Sequence, residues 1–146
     1  RQPDNPMFNP SREQVRRFFI DAWRKHRDGS ILTPLETMAV ELIELHPEYH
    51  AVLESPDAHD KDYRPEDGQI NPFLHLSLHL AIAEQVSIDQ PPGIRAAVAS
   101  LQLRRGDRHE ALHEVLDCLG ETLHESQRNR TAPDGAAYLD RIRRRL

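Results

Sequence analysis

Six of the nine histidines in this 146-residue chain stand in three His-x-x-x-His pairs: His46/His50, His75/His79 and His109/His113. On a helix, side chains four residues apart share one face, with Cβ atoms ~5–6 Å apart. Two imidazoles so placed can grip one metal ion through N–metal bonds of ~2.0–2.1 Å. A random chain of this composition holds about half of one such pair, so three exceed what chance supplies. All-imidazole ligation suits Zn, Fe, Ni or Cu, with Zn or Fe the first expectation. The expected ligands are His75, His79, His109 and His113, with His50 and His46 next.

Each pair also has a plainer explanation. His46/His50 straddles Pro47, which spoils the helical spacing and suits capping or surface roles. His75/His79 fits hydrogen-bonded core histidines, and His109/His113 fits a pair at the border of a helix face. His26, His59 and His124 read as solvated or incidental. His109-Glu110-Ala111-Leu112-His113 also matches His-Glu-x-x-His, in which two histidines bind zinc and the glutamate activates water. Against a protease, the sequence offers no sheet edge for an extended peptide and no third metzincin-type histidine. Glu110-x-x-His113 and Glu121-x-x-His124 resemble the Glu-x-x-His element of di-iron bundles, but both fall on one helix where those proteins use two.

The elements that must position these residues are helices. Ser11, with Gln14 three residues on, reads as a capping box opening a helix to Arg27, with Val15, Phe18, Phe19, Ala22 and Trp23 on its apolar face. Gly29 stops it. Thr33 and Pro34 open a second helix, buried along Leu35, Met38, Ala39, Leu42, Ile43 and Leu45. Pro47 breaks it, and a short helix from about Pro47 to Glu54 follows. Residues 55–70 read as a loop. Leu74 to Leu80 alternates like a strand, but its Leu and Ala content, the Asn71-Pro72 start and the lack of a partner strand predict a helix. That helix is apolar nearly all round, so His75 and His79 should be buried and need partners. Further helices are predicted to end near Arg105, to span about Asp107 to Asn129, and to run from Pro133-Asp134 to the end. On the longest, Leu112, Val115, Leu116, Leu119 and Leu123 define the expected core face. His109, His113, Gly120 and His124 fall along its border, and Cys118 falls off the stripe, a structural rather than nucleophilic cysteine. The expected fold is all-α: a compact antiparallel bundle of about five to seven helices without significant sheet.

Bulk properties bound the function. A chain this long suits one domain, expected over residues 7–146, with residues 1–6 a flexible extension or an expression remnant. The single cysteine fits a reducing, cytoplasmic setting. No apolar run approaches the ~20 residues that span a bilayer. The net charge of −5 argues against nucleic acid or anionic membrane as the main partner. The Arg141, Arg143, Arg144 and Arg145 tail reads as a solvated helix end. Asp89-Gln90-Pro91-Pro92-Gly93-Ile94-Arg95 reads as the start of a helix, with a ligand loop as the alternative.

Several strings together, namely Met7 to Arg12, His46-Pro47-Glu48-Tyr49-His50, Asn71 to His79 and Asp89 to Arg95, resemble a bacterial family of domains of unknown function, DUF1841. The resemblance runs from about Met7 to Arg144 and implies one intact domain, but brings no activity. The residues themselves point first to a helical bundle that binds a transition metal. The alternatives are a non-catalytic protein-interaction module with core histidines, and a zinc hydrolase using Glu110. A protein partner or a homo-oligomer fits any of them.

Overall fold

Proline, glycine and short polar caps divide the chain into helices. A computed structural model describes residues 12–58 and 71–146. Among them lie seven α-helices: α1 (Arg12–Arg27), α2 (Pro34–Glu44), α3 (His50–Glu54), α4 (Pro72–Ile88), α5 (Ile94–Arg105), α6 (Arg108–Asn129) and α7 (Gly135–Arg143). No strand occurs among the described residues, so the chain is all-α as expected. Residues 1–6, the Ser11 cap, His59 and most of the predicted 55–70 loop lie outside the described residues.

The caps follow the sequence closely. Gly29 ends α1 at φ +73°, and Ser30 N–H reaches back to the Lys25 carbonyl at 2.9 Å. At α2 the Thr33 hydroxyl accepts from Glu36 N–H at 3.1 Å while the Glu36 carboxylate accepts from Thr33 N–H at 2.9 Å. This reciprocal pair satisfies two of the donors a helix start leaves over. Asp107 and Asp134 accept from Glu110 N–H and Ala137 N–H at the starts of α6 and α7. Pro47 breaks α2 as predicted. The expected short helix resolves into a 3₁₀ turn, Pro47–Tyr49, followed by α3.

The ambiguous alternating segment is helical. Asn71 Oδ1 accepts from Phe73 N–H and Leu74 N–H at 3.0 and 3.3 Å, which starts α4. The alternation distributes leucines around the helix: Leu76 and Leu80 are buried, while Leu74 is 57% exposed.

The described chain forms two compact units divided within α4, after Leu80. In the first, α1 packs on α2 and α3. Its core joins Phe19, Ala22 and Trp23 of α1 to Ala39, Val40, Leu42 and Ile43 of α2, Leu53 of α3, and Phe73, Leu76 and Leu80 of α4. In the second, Ala81–Leu146, α5, α6 and α7 pack on one another. Ile94, Val98 and Leu101 of α5, and Leu139 and Ile142 of α7, are buried there.

Two expectations in the second unit need correction. The buried stripe of α6 is Ala111, Val115, Cys118, Leu119 and Thr122: Val115 and Leu119 are buried as read from the wheel, whereas Leu112, Leu116 and Leu123 are half-buried and Ala111, Cys118 and Thr122 take the inner face with them. Cys118 therefore lies in the core, with no exposed surface. Small residues on the inner face let neighbouring helices approach closely, and the longer leucines then flank that contact. Nor is the basic tail simply a solvated end. The Arg141 guanidinium bonds Thr122 Oγ1 and Glu125 Oε2 at 2.8 and 2.6 Å. Arg105 forks onto the Glu114 carboxylate and also bonds the Arg145 carbonyl at 2.7 Å. These contacts tie the C-terminus to α5 and α6.

The Asp89–Arg95 segment is a built turn. Asp89, at φ +52°, accepts from Gly93 N–H and Arg95 N–H through Oδ1 at 3.2 and 3.0 Å. The Arg95 side chain caps the C-terminal carbonyls of Val86 and Ser87 at 3.0 and 2.7 Å.

Candidate metal centre

At the end of α2, Pro47 supplies no N–H for the Ile43 carbonyl, and the His46 N–H turns to that carbonyl at 3.0 Å rather than to Leu42. Two imidazoles also reach these carbonyls. His46 Nδ1 lies 2.8 Å from the Leu42 carbonyl, and His50 Nε2 lies 2.8 Å from the Ile43 carbonyl. Capping, the plainer explanation for this pair, is thus present at both residues.

The two then part company. The His50 ring packs against Trp23, centroids 4.5 Å apart, and is half-buried. The His46 ring is 1% exposed and faces the histidines of α4. Only an N–H can face a carbonyl oxygen at this distance, so in the neutral ring Nδ1 carries the proton and Nε2 presents its lone pair. That Nε2 lies 3.2 Å from Nε2 of His75.

On α4, the predicted pair stands on one face: the His75 and His79 ring centroids are 4.8 Å apart. His79 is 2% exposed, and its centroid is also 4.8 Å from that of His46. One ligand nitrogen from each of His46, His75 and His79 lies within 4.8 Å of the others. Adjacent nitrogens on a tetrahedral ion, with bonds of ~2.0–2.1 Å, are about 3.3 Å apart. The His46–His75 separation already matches that edge, and the remaining contraction is at most about 1.5 Å. The three imidazoles can therefore hold a metal ion.

The shell around the ligands is aromatic. Tyr49 stacks on His46 with 4° between the planes and meets His75 edge-on at 5.9 Å. Burial pushes the Tyr49 phenol above its usual range, and the Glu48 charge adds to this. The phenol therefore stays neutral at physiological pH. Nothing in the histidine spacing singled out Tyr49, although it sits inside the His46–His50 string.

The α6 pair belongs to the second unit. The His109 and His113 ring centroids are 4.2 Å apart and tilted by 58°, and both residues are half-buried. Glu110 of the His-Glu-x-x-His match is exposed. His26 stacks on Trp23 at 5.3 Å and is exposed, as is His124. No helix among the described residues is long and apolar enough to cross a membrane.

No curated protein and no solved structure matches the chain. Residues 11–144 match the family described as "Domain of unknown function (DUF1841)", and over nearly its whole length the chain belongs to that family.

Proposed function

We propose that the protein binds a transition-metal ion through His46, His75 and His79. One observation carries the reading: a buried His46 whose Nδ1–H is spent on the Leu42 carbonyl and whose Nε2 faces His75 Nε2 at 3.2 Å. Metal-ligating histidines commonly donate their second ring nitrogen in this way, which fixes the tautomer and the ring orientation. Three imidazoles supply three of the four positions of a tetrahedral ion. The fourth falls to another protein group or to a small exogenous ligand. Zn, Fe, Ni and Cu all suit such donors. The free, buried Cys118 is compatible with a reducing compartment such as the cytoplasm.

The test is metal analysis of untagged protein purified after metal-supplemented growth. The proposal expects close to one equivalent in wild-type protein and loss of that metal in His46→Ala and His79→Ala. Stoichiometry also tells whether the α6 pair takes part. One equivalent that vanishes in His109→Ala or His113→Ala enlists α6, and an unchanged equivalent does not. Less than about a tenth of an equivalent in wild-type protein, with no rise in melting temperature on adding Zn(II), Co(II) or Cu, refutes the proposal.

A further inference from the structure

The charge of the ligand set goes further than the presence of a site. Imidazole binds metal as a neutral donor, so the cluster contributes no negative charge toward a bound cation. Two of its three rings, His46 and His79, are 1% and 2% exposed. The cost of bringing a cation into such surroundings rises with the square of its charge, about fourfold from a monocation to a dication.

Geometry acts in the same direction. Cu(II) favours a square-planar or tetragonal donor set. Here two donors are fixed one turn apart on α4, and the third is held by its own hydrogen bond to the end of α2. Rings pinned in this way suit trigonal or tetrahedral coordination, which a closed-shell d¹⁰ ion accepts without preference.

Resting on the metal reading above, we propose that the His46–His75–His79 cluster is a site for monovalent copper, binding Cu(I) more tightly than Cu(II). When the site is loaded with Cu(II), one electron from a donor such as ascorbate converts the ion to Cu(I) with the imidazoles still bound. No ligand proton moves in that step, because His46 Nδ1–H is already committed to the Leu42 carbonyl.

The experiment is an anaerobic titration of untagged protein with Cu(I) against a chromogenic Cu(I) chelator, paired with the reduction potential of the copper-loaded protein. The expected result is one equivalent of Cu(I) and a potential above that of aqueous copper by at least 59 mV, which corresponds to at least tenfold tighter binding of Cu(I). The Cu(II) paramagnetic signal should disappear on adding ascorbate, with the copper retained. Cys118→Ser should bind Cu(I) as wild type does, which excludes the thiol as the ligand. His75→Gln, half-buried and folded by circular dichroism, should lose at least tenfold in Cu(I) affinity; if His79→Ala fails to fold, His75→Gln decides.

A potential at or below that of aqueous copper, or release of copper to the chelator on reduction, overturns the inference. So does wild-type Cu(I) affinity in His75→Gln. If Zn(II) or Co(II) still binds in those cases, the metal site stands and only its copper(I) preference falls. Failure of every metal to bind removes both.

Discussion

His46→Ala separates the two jobs assigned to that ring. In wild-type protein the buried His46 Nδ1–H satisfies the Leu42 carbonyl at 2.8 Å, and the ring stacks on Tyr49. Removing it leaves a buried acceptor without that donor, at about 1–3 kcal/mol. The lost ring also leaves a void whose lining forfeits packing contacts. Together these set the destabilisation of metal-free protein at about 2–4 kcal/mol, near the upper end for single substitutions. At ~2–4 °C per kcal/mol for a chain near this size, the melting temperature of the apo protein should fall by roughly 5–15 °C. The second job appears only with metal. An ion at a hundred times its dissociation constant should stabilise wild-type protein by ~2.7 kcal/mol, and His46→Ala by close to nothing. Differential scanning calorimetry of both proteins, chelated and metal-loaded, gives all four values. A metal-induced increment as large in His46→Ala as in wild type refutes the ligand role. An unchanged apo melting temperature refutes the capping role. Either can fail without the other.

Acid should expose the α2 start. The Lys25 ammonium, at 2.7 Å, and the Thr33 N–H hold the Glu36 carboxyl below its ordinary value of 4.5 in the folded chain. Its contribution is therefore complete above about pH 4.5 and fades as pH falls through the lower folded value. Glu36→Gln should remove that part of the acid dependence in urea titrations between pH 3 and 6, whereas an unchanged slope would contradict the assignment. Gly93 sits at φ +101°, and a Cβ there would lie 2.9 Å from an Arg143 guanidinium nitrogen. Gly93→Ala should cost about 1–3 kcal/mol by urea denaturation, and a neutral result would show that the turn relaxes freely. Cys118 has no exposed surface, and burial pushes its thiol above the usual range, against the opposing charge of Arg145. An aromatic disulfide reagent should modify it only at the rate of unfolding, so fast labelling of native protein would show that the second unit opens locally.

Much of this protein was legible in its sequence because the deciding interactions are local. Gly29, Thr33, Asp107 and Asp134 stop or start helices through backbone groups within a few residues of themselves. The same locality places His75 and His79 on one face, since the α-helix repeat fixes the distance between side chains four apart. Even the strand-like alternation from Leu74 to Leu80 yields to local chemistry, because Asn71 caps a helix there. What the sequence left open depends on rotations and approaches set by other elements. The inward face of α6 turns toward Ala111, Cys118 and Thr122 because close helix packing favours small residues. The basic tail finds its carboxylates on α6 only once α7 has folded back. His46 and His50 share the spacing of the other pairs, yet Pro47 ends the helix that would have kept them on one face. Periodicity says nothing past such a break. Only the tertiary fold turns His50 onto Trp23 and brings His46, 29 residues away along the chain, within 3.2 Å of His75.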